Sequence, residues 1–159
     1  MIAGGITFGN TQIGVTRNLD SWTGSFSNER LIGQLELWDK ESKPMAIHLD
    51  RLILDPIPSG KQIFSGSDKP SLVSKYSFSS DLIRISGIDL KDVSFEYSKG
   101  NYESKLSQLS ATFGSLTIDN AILSWNNGGE KQTSFFKGNF EISNLMETKD
   151  LLNFTSALE

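Results

Sequence analysis

The sequence predicts a mainly β protein, in which a one-sided antiparallel sheet is followed by a short helix at the C-terminus. Three observations predict this class. Apolar and polar residues alternate over most of the chain, serine supplies many of the polar positions, and turn residues separate the alternating stretches. Such a pattern gives each strand one apolar and one wet side, which is typical of antiparallel sheets. A closed β-sandwich is the alternative.

The alternation is clearest in Leu31–Leu37, where apolar residues recur at every second position. Turn chemistry follows several such stretches, with Asn126-Asn127-Gly128-Gly129 as the strongest hairpin signal. Strands are predicted at about residues 4–8, 11–18, 20–27, 30–38, 44–54, 73–79, 82–86, 90–98, 102–113, 115–125 and 131–143.

The chain reads as a single β-rich segment, residues 1–159, with one interruption. Residues 55–71 contain Pro56, Pro58 and Pro70 without any periodic pattern, which predicts a surface loop. The loop separates a first strand group, residues 1–54, from a second, residues 72–145. Residues 146–158 change to helical spacing, and Asn144 or Thr148 could cap the predicted helix.

Composition and charge exclude several classes of function. The net charge is -4, and no basic cluster is present to neutralise a nucleic acid backbone. There is no cysteine, so disulfides, thiolate metal sites and cysteine nucleophiles are absent. No apolar run exceeds three residues, whereas a spanning helix needs about 20, so we expect no membrane anchor or signal sequence in this piece.

The sequence also argues against catalysis. His48 is the only histidine, and the alternation around it turns its side chain to solvent, away from Ile47 and Leu49. Acidic residues are scattered singly, and no metal-ligand or phosphate-loop spacing occurs. We therefore expect no enzyme, no metal site and no cofactor.

Three consecutive segments carry a more specific signal: Trp22–Phe26, Leu31–Trp38 and Lys43–Leu52, the last containing Leu49-Asp50-Arg51-Leu52. They resemble the signature of the YhdP-type members of the AsmA-like family. The resemblance continues through Ile88–Val93 to a strand that ends at Trp125, and it covers nearly all of the chain from about residue 6.

The resemblance implies that the chain is a C-terminal fragment of a long protein, and that its antiparallel sheet is strongly curved and forms a groove or half-barrel. Family members are anchored in the inner membrane of Gram-negative bacteria by an N-terminal helix, and their β-rich bodies cross the periplasm. They are implicated in carrying phospholipid between the inner and outer membranes. By this resemblance the partners are phospholipid acyl chains and neighbouring β-segments of the full-length chain, and nothing here matches the anchor.

An apolar groove of this kind would hold acyl chains because each buried methylene gains ~0.8 kcal/mol. The alternation alone favours a filled core between two sheets, as in a binding or adhesion module, and only the resemblance favours the open groove. A glycan-binding β-domain that uses exposed Trp and acidic residues is a third, weaker one. The candidate groove residues are Phe26, Leu35, Leu37, Ile47, Leu49, Phe95, Leu106, Phe113, Leu116, Ile118, Phe140 and Ile142.

Overall fold

The structure is a computed structural model, and it describes residues 2–3, 6–7, 9–39, 43–54, 75–126 and 133–147. Two short strands at the start, β1 (Ile2–Ala3) and β2 (Ile6–Thr7), form a small antiparallel pair. The other nine strands form a single sheet.

The nine strands lie in the sheet in their order along the chain, so every strand pairs with its sequence neighbours. Two of the turns between them have a clear local cause. Ser86 and Gly87 both have positive φ, as a type I′ hairpin requires, and Gly114 has a φ of 56° at the start of the next two-residue turn. The strands are β3 (Gln12–Arg17), β4 (Ser21–Ser27), β5 (Leu31–Trp38), β6 (Met45–Ile53), β7 (Lys75–Ile85), β8 (Ile88–Lys99), β9 (Glu103–Phe113), β10 (Leu116–Asn126) and β11 (Ser134–Ile142).

One pair of strands corrects the prediction of an antiparallel sheet. β6 and β7 are parallel, with Met45 opposite Tyr76 and Ile53 opposite Arg84, whereas all the other neighbouring strands are antiparallel. Parallel neighbours need a crossover of a dozen or more residues. Residues 55–74, which contain the predicted loop, make this connection but lie outside the described residues. The sheet therefore consists of two antiparallel groups, β3–β6 and β7–β11, joined by one parallel pair.

The predicted strong curvature is wrong. The sheet is neither closed nor strongly curled, and β3 and β11 are its two edges. The alternative of a closed sandwich is wrong as well, because apart from the two-residue strands β1 and β2 all the described strands belong to one sheet that is not closed. Alternating sequence predicts a sheet with one apolar side, but it carries no direct information on how far that sheet bends or on what covers it.

The register of the strands divides their side chains between two faces. Residues directly opposite each other on neighbouring strands lie on the same face. Following the pairs across the sheet collects the apolar side chains on one side, which we call the apolar face. The apolar side chains that define it are Ile13, Val15, Trp22, Phe26, Leu31, Leu35, Leu37, Met45, Ile47, Leu49, Leu52, Tyr76, Phe78, Ile83, Ile85, Ile88, Leu90, Val93, Phe95, Tyr97, Leu106, Leu109, Phe113, Leu116, Ile118, Ala121, Leu123, Trp125, Phe136, Phe140 and Ile142.

The opposite side, which we call the polar face, carries mainly Ser, Thr and charged residues, such as Ser25 on β4, Gln34 on β5 and Glu96 on β8. A few apolar side chains also lie there, among them Trp38 and Phe135. The prediction that each strand has one apolar and one wet side is thus confirmed for the described strands.

Bulges keep the apolar residues of β8, β9 and β10 on one face. Asp92, Gln108 and Asn120 have φ values of 50°, 53° and 47°, and the pairing register shifts beside each of them. A bulge inserts one extra residue into a strand, so the alternation resumes on the same face after it. Leu106 and Leu109 are three positions apart and would otherwise point to opposite sides of the sheet.

Two parts of the predicted secondary structure differ in extent from what the structure describes. The two strands predicted at 73–79 and 82–86 are one strand, β7, which runs through Ser79-Ser80-Asp81. Of the predicted helix only its beginning, residues 145–147, is described, and Asn144 caps it by accepting hydrogen bonds from the backbone N–H groups of Met146 (3.1 Å) and Glu147 (3.4 Å). Residues 127–132, which contain most of the predicted hairpin turn, lie outside the described residues.

Candidate functional site

All the candidate groove residues lie on the apolar face. Ile47 is opposite Leu35, Leu116 is opposite both Phe113 and Ile142, and Ile118 is opposite Phe140. The candidates lie on seven of the nine strands of the sheet, so they form one surface instead of a compact pocket. Their full placement, by strand, is Phe26 on β4, Leu35 and Leu37 on β5, Ile47 and Leu49 on β6, Phe95 on β8, Leu106 and Phe113 on β9, Leu116 and Ile118 on β10, and Phe140 and Ile142 on β11.

This face is only partly buried. Leu49 is 5% exposed, but Leu37 is 42%, Ile142 46% and Phe140 56% exposed. The buried hydrophobic residues of the described chain are Leu31, Leu49, Ile83, Val93 and Ala121, and all of them belong to the apolar face. No described layer lies above these five residues. The side chains that bury them are therefore their neighbours on the same sheet. Large apolar areas exposed in this way mark surfaces that bind another apolar body.

A buried hydrophobic cluster of the apolar face lies on β5 and β6. Leu31 and Leu49 form a buried cluster against which partly buried hydrophobic residues pack. Gly33 makes this packing possible, since a Cβ at position 33 would lie 2.8 Å from Leu49 Cδ2 and 3.0 Å from Leu49 Cα. The packed neighbours are Phe26, Ile47, Leu52, Leu54 and Phe78.

A run of aromatic rings crosses the same face, and sequence reasoning missed most of it. Phe78 stacks on Phe95 with ring centroids 4.9 Å apart, and Phe95 meets Tyr76 edge to face at 6.2 Å. Tyr76 lies 4.8 Å from Tyr97, which in turn lies 6.2 Å from Trp125. The sequence does contain a signal for Tyr76 and Phe78, because the two residues are apolar at alternating positions of β7.

Tryptophan and tyrosine occur at one end of the sheet only. Trp22, Tyr76, Tyr97 and Trp125 lie on the apolar face near the starts of β6, β7 and β11, and register pairs such as Trp22 with Leu37 and Tyr76 with Tyr97 align them. Trp38 lies at the same end on the polar face, and Tyr102 lies in the turn between β8 and β9. Together these are all three Trp and all three Tyr of the chain, so we call this the aromatic end.

The opposite end, which we call the hydrocarbon end, carries only aliphatic side chains and phenylalanine on the apolar face. Its members include Phe26, Leu52, Leu90, Phe113 and Ile142. The charged side chains that the register places on the apolar face, Arg17 and Lys99, both lie at the aromatic end. Arg17 is bound there by Asp39, with contacts of 2.9 and 2.6 Å. The apolar face therefore changes in polarity along the strand direction.

The polar face holds the side chains that could do chemistry. His48 is exposed, as the alternation predicts, and its ring nitrogens lie 2.9 Å from Ser79 Oγ and 3.2 Å from Asp50 Oδ1. His48, Asp50 and Asp81 bring one possible ligand atom each within 4.8 Å of one another, a grouping that the sequence hides because Asp81 reaches it from β7. All three are exposed, and exposed carboxylates commonly lie together without an ion.

Two arginine–aspartate ion pairs link neighbouring segments of the sheet, Arg84 with Asp89 and Arg17 with Asp39. Arg84 Nε and a terminal guanidinium nitrogen bind the Asp89 carboxylate at 2.6 and 2.8 Å, across the β7–β8 hairpin. Hydrogen bonding from Arg84 lowers the pKa of Asp89 below its ordinary value, and the Arg17 pairing does the same to the pKa of Asp39. The Arg17 guanidinium also lies 5.0 Å from the centroid of the Trp22 ring.

The fold and this surface define a class of protein, a one-sided β-sheet whose apolar face has no covering layer among the residues that the structure describes. No helix among the described residues is long and apolar enough to cross a membrane. No family model, curated protein or solved structure matches the chain.

Proposed function

We propose that the apolar face binds the acyl chains of phospholipids. In this proposal the chain is a non-enzymatic segment of a longer periplasmic, bridge-like protein that carries phospholipid between the inner and outer membranes of a Gram-negative bacterium. The observation that carries the proposal is the continuity of the apolar face across nine strands, without a covering layer among the described residues.

The chemistry of the face suits hydrocarbon better than a polar ligand. Leu, Ile, Val and Phe dominate it, and away from the aromatic end it offers few hydrogen-bond donors or acceptors from side chains. A ligand that covers Leu37, Phe140 and Ile142 would remove apolar surface from water, which contributes about 25 cal/mol for each Å² of apolar area. An acyl chain can make these contacts at any position along the sheet, since the interaction is not directional.

The dimensions of the sheet also support a track. Nine strands have eight spacings of about 4.8 Å, so the apolar face extends roughly 38 Å across the strands. Strands β3 and β11 are the edges of the sheet, and β3 is exposed along its whole length. Such edges can pair with strands of neighbouring segments, which would lengthen the track beyond this chain.

Localisation in the periplasm and attachment to the inner membrane rest on the resemblance of Trp22–Leu52 to the YhdP-type AsmA-like family. The structure contributes a compatible feature, since the segments that carry the resemblance form adjacent strands. Trp22–Phe26 lies in β4, Leu31–Trp38 is β5, and Met45–Leu52 lies in β6.

Photocrosslinking tests the proposal directly. A photoreactive phenylalanine analogue is placed at Phe95 or Ile118 on the apolar face, and at Ser94 or Thr117 on the polar face as matched controls one residue away. In cells that export the chain to the periplasm, we expect phospholipid adducts from the first pair only. Crosslinks confined to protein, or equal lipid labelling from both faces, would contradict the proposal.

A further inference from the structure

We propose that a phospholipid bound to the apolar face lies along the strands, with its headgroup at the aromatic end and its acyl chains directed toward the hydrocarbon end. This inference rests on the proposed function and adds the orientation of the ligand. Its basis is the separation of amphipathic and purely hydrocarbon side chains along the strand direction.

The aromatic end has the chemistry of a boundary between water and hydrocarbon. Trp and Tyr rings have an apolar body and a polar N–H or O–H, and they are enriched where a lipid's polar and apolar parts meet. The Tyr97 hydroxyl lies 3.4 Å from Oγ of Ser104, and Ser104 is opposite both Lys99 and Trp125, so the polar group of this ring is directed toward the aromatic end. Placement of all six Trp and Tyr residues at one end of the sheet gives this end a character that the other end lacks.

The charged side chains of the apolar face also lie at the aromatic end. Arg17 and Lys99 lie at the aromatic end, and Lys99 is exposed there. A phosphate is an anion that a lysine ammonium can bind as a point charge. Arg17 is already engaged by Asp39, so Lys99 is the cation that we assign to the lipid phosphate.

The length of the face fits an acyl chain in this orientation. From Tyr97 to Leu90 on β8 there are seven residue steps, which at about 3.3 Å each span roughly 23 Å. The hydrocarbon layer of a bilayer is about 30 Å thick, so one leaflet contributes roughly 15 Å. An acyl chain that starts beside Tyr97 therefore remains on apolar side chains along its whole length.

The test measures which part of the lipid lies near each end of the sheet. The chain is loaded with phosphatidylcholine that carries a nitroxide either on its headgroup or at carbon 16 of an acyl chain, and the complex is separated from vesicles by size exclusion. Broadening of the three indole N–H signals is then recorded by NMR on the unmodified chain. We expect the headgroup label to broaden Trp22 and Trp125 several-fold more than the acyl label does. Trp38 on the polar face should respond least to both labels.

A fluorescence measurement checks the hydrocarbon end. In a chain with Trp22→Phe, Trp38→Phe and Trp125→Phe, the substitution Phe113→Trp places the only indole among aliphatic residues. Here the acyl label should quench more strongly than the headgroup label, and the order should reverse in the variant that retains Trp22 alone.

The outcomes separate the two proposals. Equal effects of the two labels at both ends, or the opposite order, would overturn the orientation while leaving lipid binding intact. A lipid that elutes only with vesicles, or that broadens no indole signal, would overturn the proposed function itself.

Discussion

Tyr76 and Tyr97 face each other across β7 and β8 on the apolar face, with ring centroids 4.8 Å apart and planes inclined by 33°. Burial raises the pKa of Tyr76 above its ordinary value, and the neighbouring Tyr97 raises it further. The pair joins the aromatic rings of β7 and β8 to Trp125 on β10, so it lies at the centre of the aromatic end.

The raised pKa of Tyr76 predicts a loss of stability at alkaline pH. The folded chain holds the Tyr76 proton to higher pH than the unfolded chain, whose tyrosine pKa is about 10. This contribution is complete below pH 10 and is lost as the pH rises through the folded pKa. Denaturant unfolding measured from pH 9 to 11.5 should therefore show a shallower decline for Tyr76→Phe than for the parent chain. Tyr102→Phe is the control, because Tyr102 is 78% exposed, and an equal effect of both substitutions would contradict the assignment.

The Arg84 and Asp89 pair predicts the opposite pH dependence. The pKa of Asp89 is lowered by the hydrogen bonds from Arg84, so its contribution is present above the unfolded value of about 3.9 and is lost as the pH falls through the folded pKa. Asp89→Asn should lower the free energy of unfolding slightly at pH 7, and this effect should shrink as the pH falls through the folded pKa of Asp89. A double-mutant cycle with Arg84→Gln isolates the pair, and a coupling that stays constant while the Asp89 carboxylate is protonated would show that it is not ionic.

Two glycines of the apolar face provide a matched test of packing. A Cβ at Gly33 would press on the His48 carbonyl oxygen and on Leu49, whereas a Cβ at Gly24 would find its nearest neighbour, Leu35, at 3.9 Å. Gly33→Ala should therefore cost about 1–3 kcal/mol through overpacking. Gly24→Ala should instead stabilise the chain by about 0.4–1 kcal/mol, because alanine restricts the unfolded state. Thermal and denaturant unfolding measure both, and equal effects would mean that β5 and β6 are not packed in this register.

The bulge at Gln108 predicts a stabilising substitution. Its φ of 53° is a left-handed conformation that costs an ordinary residue about 1–2 kcal/mol, while glycine in a strand loses only about 0.5–1 kcal/mol. Gln108→Gly should thus raise the free energy of unfolding by up to about 1 kcal/mol. Gln34→Gly, in a strand position with ordinary backbone angles, should lower it by about 0.5–1 kcal/mol. If both substitutions destabilise equally, the bulge is not where the structure has it.

The same bulges explain how far sequence reasoning could reach. Alternation locates most strands, and every candidate groove residue that it selects lies on the apolar face. Strict alternation would nevertheless place Leu106 and Phe113 of β9 on opposite faces, and only the extra residue at Gln108 returns them to one face. A Gln in the left-handed region has no reliable sequence signal, because Asn, Asp and Gly are the usual occupants.

The parallel pairing of β6 and β7 also could not be predicted from the sequence. The long segment between them is visible as an interruption, but its composition does not say at which end of the sheet the next strand begins. The sequence also predicts separate strands at 73–79 and 82–86, whereas β7 is continuous through Ser80. Ser80 is 2% exposed within β7, and its hydroxyl donates a hydrogen bond of 3.2 Å to the Leu82 carbonyl oxygen, so a polar residue is satisfied inside a strand.

The phospholipid content of the purified chain tests the central claim most directly. Phe140→Asn changes the apolar face of β11 and Phe135→Asn changes its polar face, and the two phenylalanines are 56% and 58% exposed, so neither substitution removes a buried side chain. Lipid extracted from chains purified from the periplasm and quantified by mass spectrometry should fall several-fold for Phe140→Asn and stay at the parent level for Phe135→Asn. A parent chain that carries no phospholipid, or equal losses from the two substitutions, would contradict the assignment of this face to acyl chains.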